Sequence, residues 1–165
     1  MRILGIDPGL AIVGWGVVEY NGNRFRTRGY GSIQTPSAMS TEDRLVEIYR
    51  RMCQLIETYK PDCMAVEELF WNTNQTTGIR VSEARGVILL TGAQHKVPIY
   101  EYTPLQVKQS VVGYGRAEKK QVITMVTMLL KLEAPPKPDD TADALAIAIC
   151  HAHSGGSRLA SYYNN

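Results

Sequence analysis

The sequence predicts an α/β fold, a five-stranded mixed sheet flanked by helices on both faces. Two observations predict it. The first third of the chain reads as three consecutive strands, joined by turns into an antiparallel meander. The remainder alternates short apolar runs with longer segments of helical period, so the later strands are helix-connected.

The elements follow in order. Residues 2–6 are a short apolar run, read as a buried strand, and 12–19 read as a second. Asn21-Gly22 is a strong hairpin signal. A third strand follows over 24–34, with Arg24, Arg26 and Arg28 alternating onto one face. Ser40-Thr41-Glu42-Asp43 starts a helix, with a capping serine and acids in the first turn. Apolar residues then fall at Leu45, Ile48, Tyr49, Met52, Leu55, Ile56 and Tyr59, in steps of three and four, until Pro61 stops the helix. Residues 62–67 are a short buried strand. The polar stretch Asn72–Thr77 leads into a helix over 77–95. Pro98 precedes a strand at 99–102, and Pro104 suits the first turn of a short helix ending near Gly113. A longer helix spans 117–132. Pro135, Pro136 and Pro138 break the chain before a last helix that begins near Asp139 or Asp140 and carries Ala144 to Cys150.

At 165 residues the prior is one domain, here 1–153, with 154–165 expected to be a flexible tail. A chain this long can bury about 70% of its unfolded surface and needs no staples. No apolar run approaches the roughly 20 residues of a membrane span. The first residues carry one charge and then an acid and a proline, unlike a signal peptide, and Cys53, Cys63 and Cys150 read as reduced core thiols, so a cytoplasmic location is expected.

Three carboxylate stations stand out. Asp7 ends the first apolar run, within Asp7-Pro8-Gly9. Glu67 ends the run Met64-Ala65-Val66. Asp140 and Asp143 lie three apart on one face at the start of the last helix. Each has an ordinary reading: a turn residue, an exposed acid, a pair of capping acids favoured by the helix dipole. Together they can reach one edge of a single sheet, where they would repel unless cations sat among them. Hard metal ions take such oxygen ligands, and paired Mg²⁺ held by carboxylates is common equipment for cutting a phosphodiester. The residues therefore read as a metal-dependent nuclease. Glu68, beside Glu67, points to the other face if the strand continues.

The net charge of +2 is modest, but four carboxylates committed to metals would leave a basic remainder. Lys108, Arg116, Lys119 and Lys120 cluster around Gly113-Tyr114-Gly115, a loop between two helices suited to phosphate contact. Phe70-Trp71 opens a polar loop, where aromatics can stack on bases. His151 and His153, two apart, cannot share a face and read as histidines at a helix C-terminus. There is no P-loop, Gly-x-Ser-x-Gly or Cys-x-x-Cys.

Seven blocks then carry a resemblance over residues 2–153: Gly5-Ile6-Asp7-Pro8-Gly9, Ala65-Val66-Glu67-Glu68-Leu69-Phe70, Glu83-Ala84-Arg85-Gly86, Gln106-Val107-Lys108-Gln109, Val111-Val112-Gly113-Tyr114-Gly115, Ala117-Glu118-Lys119 and Asp140-Thr141-Ala142-Asp143-Ala144-Leu145-Ala146. In this order they closely resemble the RuvC family of bacterial crossover junction endodeoxyribonucleases. The resemblance implies an RNase H-like fold, a homodimer, and resolution of four-way Holliday junctions by two symmetric nicks in recombination and repair. It implies a metal-binding catalytic quartet of Asp7, Glu67, Asp140 and Asp143, with Mg²⁺ as cofactor, two ions per site, and Mn²⁺ as a substitute. Phe70 resembles the family's base-contacting aromatic, and Lys108 and Lys119 its DNA-contacting lysines. Arg80, Arg116 and Lys120 join them as expected DNA contacts. The RuvA–RuvB branch-migration complex is a further partner the resemblance suggests. The chain departs from the family pattern at Glu68, where Gln is expected, and over Thr77–Ser82, where Arg80 preserves the charge.

The implied mechanism is two-metal hydrolysis leaving a 5′-phosphate, with Asp7 shared between ions, Glu67 completing one site and Asp140 with Asp143 the other. Three rivals stand beside it. Asp7-x-Gly9 before a hairpin also suits actin-like kinases, but those need a second lobe. A junction-binding module that no longer cuts would not need all four carboxylates. A relative acting on RNA would differ in substrate.

Overall fold

The computed structural model describes residues 1–69 and 75–154. The elements are β1 (Arg2–Asp7), β2 (Ile12–Tyr20), β3 (Phe25–Gln34), α1 (Thr41–Tyr59), β4 (Cys63–Glu67), α2 (Gln75–Gln94), β5 (Ile99–Tyr102), α3 (Pro104–Val112), α4 (Lys119–Leu129) and α5 (Asp139–Ser154). The order is the one expected, with boundary differences. α4 is shorter at both ends than the helix expected over 117–132: Glu118 and Gln121 form a capping box that fixes its start, and past Leu129 the chain turns through a left-handed Lys131. α5 reaches Ser154, one residue into the segment expected to be loose, while 155–165 lie outside the described residues. Phe70 and Trp71 lie outside them too.

The sheet has five strands in the order β3-β2-β1-β4-β5. β1, β2 and β3 pair antiparallel; β4 pairs parallel with β1 and with β5. The hairpin turn uses Gly22 at φ 94°, a conformation that suits glycine. Both faces are covered. One core joins Ile3, Val18, Cys63 and Ala65 to α3, α4 and α5. The other joins Leu4, Ile6, Val17, Met64 and Val66 to α1 and α2. The period of two in each strand is therefore read out as two cores. No helix among the described residues is long and apolar enough to cross a membrane.

β3 carries a bulge: Val17 pairs with Gly29 and Val18 with Thr27, so Arg28 is the extra residue. The bulge exchanges the faces of the strand, and Phe25 packs toward α5 whereas Ile33 packs toward α1. The strict alternation expected for Arg24, Arg26 and Arg28 is thus interrupted at Arg28, whose Nε lies 2.9 Å from Glu19.

Every residue of α5 from Thr141 to Ala152 is buried except Asp143, which is half-buried. The helix approaches the sheet so closely because glycines face it. A Cβ on Gly5 would meet Ala144 and Ala148, one on Gly14 the Asp140 carbonyl, one on Gly16 the Leu145 side chain. These glycines share the parity of Ile3 and Val18 on the α5 face. Thr141 Oγ1 donates to Gly31 O at 3.1 Å and fixes the start of α5 over β2 and β3.

Candidate active site

Strand parity and a parallel pairing put two of the carboxylates side by side. Ile3 pairs with Cys63 and Ile6 with Val66, so Asp7 and Glu67 are the next residues on adjacent parallel strands, about 4.8 Å apart along the hydrogen-bonding direction. Both share the parity of Ile3, Cys63 and Ala65, which face α5. Asp7 is also in register with Gly14, the residue against which the backbone of Asp140 rests. The first turn of α5 therefore lies over β2, at the point where that strand pairs with Asp7.

The electrostatics reflect this crowding. Burial, then the charges of Glu67, Asp143 and Asp140, push the Asp7 carboxyl up to about 8, against a smaller opposing effect of Lys119. Burial and Asp143 push Glu67 up to about 7, and Lys108 and Lys119 oppose this. Asp143 is also raised, chiefly by burial, although its hydrogen bond to Lys119 works the other way. Acids that raise one another's pKa in a shared site are a recognised mark of a functional centre.

Two lysines stand among them. Lys119 Nζ lies 2.9 Å from Asp143 Oδ2 and 3.8 Å from Asp139 Oδ2. Lys108, half-buried on α3, acts on Glu67 through its charge. Gly113, at φ 97°, ends α3 and lets the chain turn back into α4, which brings the two lysines to one site. Arg116 and Lys120 are exposed beside Lys119, and Arg80 is exposed on α2. Glu68 is exposed, with the parity of Val66 rather than of Glu67, as expected; its N–H extends the sheet by donating to Tyr102 O at 2.8 Å.

A hard divalent cation fits this donor set: buried carboxylate oxygens whose mutual repulsion needs positive charge, with an ammonium already drawn in. As they stand, no three His, Cys, Asp or Glu side chains among the described residues are gathered tightly enough to enclose an ion. The present balance is struck by Lys119.

Other sequence expectations changed. Arg24 and Arg26 border a concavity with Arg2, Glu19 and Asp62, beside the start of β1, and Asp7 lies roughly 17 Å away at the other end of that strand. They do not join the carboxylate site. His151 lies in the last turn of α5, as expected, but it is also a core residue: it is 3% exposed, with Nε2 3.2 Å from Cys63 Sγ and Nδ1 2.7 Å from Tyr102 Oη. Cys63 and Cys150 are buried as expected, but Cys53 is only half-buried.

Two arginines near the site were missed by sequence reasoning. Arg85 Nε donates to Glu67 O at 3.2 Å, and its guanidinium pairs with Glu101 on β5, so it ties the end of β4 in place. Arg44 is 8% exposed on α1. Its signal was legible: it stands four residues before Ile48, on the stripe that continues through Met52 and Ile56.

The chain as a whole is similar to known proteins. The family model described as "Crossover junction endodeoxyribonuclease RuvC" matches residues 3–151. A protein of that name from Alkaliphilus metalliredigens is 64% identical over 155 residues, covering 94% of each chain. The Thermus thermophilus RuvC structure superposes with a TM-score of 0.86 at 35% identity, covering 94% of this chain and 96% of that one. T. thermophilus RuvC in complex with Holliday junction substrate gives 0.87 at 32% identity, with the same coverage.

Proposed function

The chain belongs to the RuvC family of crossover junction endodeoxyribonucleases, and from that premise we propose how its residues resolve a Holliday junction. The fold is RNase H-like and the activity is hydrolytic cutting of junction DNA. Enzymes of this family use divalent metal ions. The observation that carries the residue assignment is the meeting of Asp7, Glu67 and Asp143 with Lys119 at one end of the sheet.

In this reading Asp7, Glu67, Asp140 and Asp143 would hold two Mg²⁺ ions, and Mn²⁺ could replace them. When bound, the ions supply Lewis-acid activation of the attacking water and neutralise charge on the scissile phosphate. The chain's own groups do the rest. Asp7 and Glu67 must be ionised to serve, so their raised pKa values couple ion binding to proton release. Lys119, held by Asp143, and Lys108, near Glu67, bring positive charge to the phosphate that enters between them. Arg80, Arg116 and Lys120 are exposed and extend that charge along the backbone. Phe70, which follows β4 two residues after Glu68 in the chain, is proposed to contact bases. Cutting leaves a 5′-phosphate and a 3′-hydroxyl, ends that a ligase can seal.

A homodimer would give paired symmetric nicks, because a two-fold axis relates two such sites. Ile79 and Leu90 support it: each is 54% exposed on α2, and their separation is about three helical turns, which places them on one uncovered face. The RuvA–RuvB complex is proposed as a further partner on the family resemblance alone, and the cytoplasm as the location.

The test is cleavage of a synthetic four-way junction with a movable core, with Mg²⁺ and with chelator, beside linear duplex of the same sequence. Paired nicks on the junction alone, and only with metal, are expected. Equal cutting of both substrates would reduce the reading to a generic nuclease of this fold, and binding without cuts to a junction-binding module.

A further inference from the structure

The loop after Asp7 opens onto a second cleft, of about 440 Å³, whose lining is largely the apolar 8–12 loop and Val81, with Arg44, Arg80 and Asp140 as its charged groups. Its floor holds an unusual group. Arg44 is more than nine-tenths buried, yet no carboxylate pairs with it among the described residues. Its Nε donates to Thr35 Oγ1 at 2.8 Å and its Nη2 to Thr35 O at 3.3 Å. Thr35 Oγ1 in turn donates to Leu10 O at 2.5 Å. This chain ties α1 to the loop behind Asp7, but it uses only two of the five N–H donors of a guanidinium. Nη1 has no protein partner among the described residues, and the residue borders the cleft.

A structural tie of this kind needs a donor, not a charge. Burying a cation without a counter-charge is costly, and a neutral side chain could serve Thr35 equally well. A guanidinium offers what a neutral donor lacks, a planar fork that matches a phosphate. Arg80 stands at the same cleft and adds a second, exposed cation. Asp140 borders it as well, so an anion held there lies beside the carboxylate site rather than remote from it.

We propose that Arg44, with Arg80 at the rim, forms a subsite for a backbone phosphate of the bound DNA, flanking the scissile one and held against the Pro8–Ala11 loop. The subsite positions the strand; it does not touch the reacting atoms. It rests on the nuclease reading above, and adds to it a residue that sets where the strand lies relative to Asp7.

The test uses junctions that each carry one neutral methylphosphonate, placed in turn at every phosphate within three nucleotides of the cut. Binding is measured in chelator for the full-length wild type and for Arg44→Gln. At one flanking position the methylphosphonate is expected to weaken wild-type binding about 5–10-fold and to have no further effect on Arg44→Gln, the loss typical of one charge-assisted contact. The salt dependence of Arg44→Gln binding should also flatten by about one phosphate contact. Effects that multiply at every position would overturn the subsite and leave Arg44 a structural tie. Because each comparison is made within one variant, a general loss of stability cancels. Thr35→Val supplies a second check: it removes the Oγ1 link of the tie, leaving only the bond to the Thr35 carbonyl, and spares the guanidinium, so it must retain the position-specific loss seen with wild type. Wild-type preference for junction over linear duplex, measured in the same series, tests the functional reading separately.

Discussion

Lys119 Nζ lies 2.9 Å from Asp143 Oδ2, so a lysine of α4 neutralises a carboxylate on α5 at the mouth of a site that also holds Asp7 and Glu67. Lys119 lowers the pKa of Asp143, Asp7 and Glu67, all of which burial raises. It therefore keeps these acids nearer to their ionised form. Its own pKa follows from two opposed effects: burial lowers it, and the hydrogen bond and charge of Asp143 outweigh that and raise it.

Replacing Lys119 by Met should move the acid limb of the cleavage pH profile to higher pH. With that cation gone, the carboxylates protonate more readily and ions bind less well at a given pH. Cutting at neutral pH should fall roughly 10–100-fold and recover partly as pH or Mg²⁺ is raised. A pH–rate profile with an unmoved acid limb would show that Lys119 acts on the DNA alone.

Asp7→Asn should abolish cutting while junction binding persists. The amide keeps the shape but cannot supply an anionic oxygen, and a loss of at least about 10³-fold is expected if Asp7 holds metal as proposed. Single-turnover cleavage beside a gel-shift titration decides it. Near wild-type cutting would remove Asp7 from the proposed quartet.

The metal-free protein should gain stability from the same substitution, with a defined pH dependence. Asp7 rises from 3.8 to about 8 and Glu67 from 4.5 to about 7 on folding. Groups raised in this way favour the folded state fully below their unfolded pKa, and that contribution is lost as pH climbs through the folded value. Asp7→Asn should therefore leave the melting temperature at pH 3.5 nearly unchanged and raise it by several degrees at pH 8.5 in chelator. Adding Mg²⁺ should raise the wild type and not the variant. Thermal scans at the two pH values suffice, and a lower melting temperature for the variant at pH 8.5 would contradict the crowding described here.

Gly14→Ala should damage the site through the backbone. The new methyl would press on the Asp140 carbonyl and force the first turn of α5 away from β2. Overpacking of this kind costs about 1–3 kcal/mol, roughly 3–10 °C in melting temperature for a chain of this size. Cutting should fall further than stability alone explains, because Asp140 and Asp143 move with the helix. Ile149→Val, deep in the same helix, is the control: it should lower the melting temperature and leave cutting near wild type. Equal activity of the two variants would disprove the link.

His151 should make the core sensitive to acid. Burial lowers its pKa, so its stabilising contribution is complete above the ordinary value near 6.5 and is lost as pH falls below it. In the folded protein its two nitrogens are engaged by Cys63 and Tyr102, and an added proton would turn both nitrogens into donors, so the partner that had donated to the ring would have to turn its own hydrogen away. Urea titrations between pH 7.5 and 5 should show wild-type stability falling more steeply than that of His151→Gln, which carries no titrating group there.

The amino-acid sequence by itself determined the elements and the carboxylate stations. Period-two and period-3.6 apolar patterns, the Asn21-Gly22 turn and the prolines at 61, 98 and 104 act locally, over a few residues, so they can be read along the chain. Asp7, Glu67, Asp140 and Asp143 were legible for the same reason: each ends or begins an apolar element. Arg44 was legible in principle, as a charge on an apolar stripe. The tertiary structure alone decided which of these groups meet. Asp7 and Glu67 converge because a parallel register aligns residues 60 apart in sequence, and α5 reaches them because Gly5, Gly14 and Gly16 remove side chains from its path. It likewise sent Arg24 and Arg26 to the far end of the sheet, buried His151 against Cys63, and set Lys119 beside Asp143. Those outcomes depend on packing between distant segments, and no local pattern carries the distance between them.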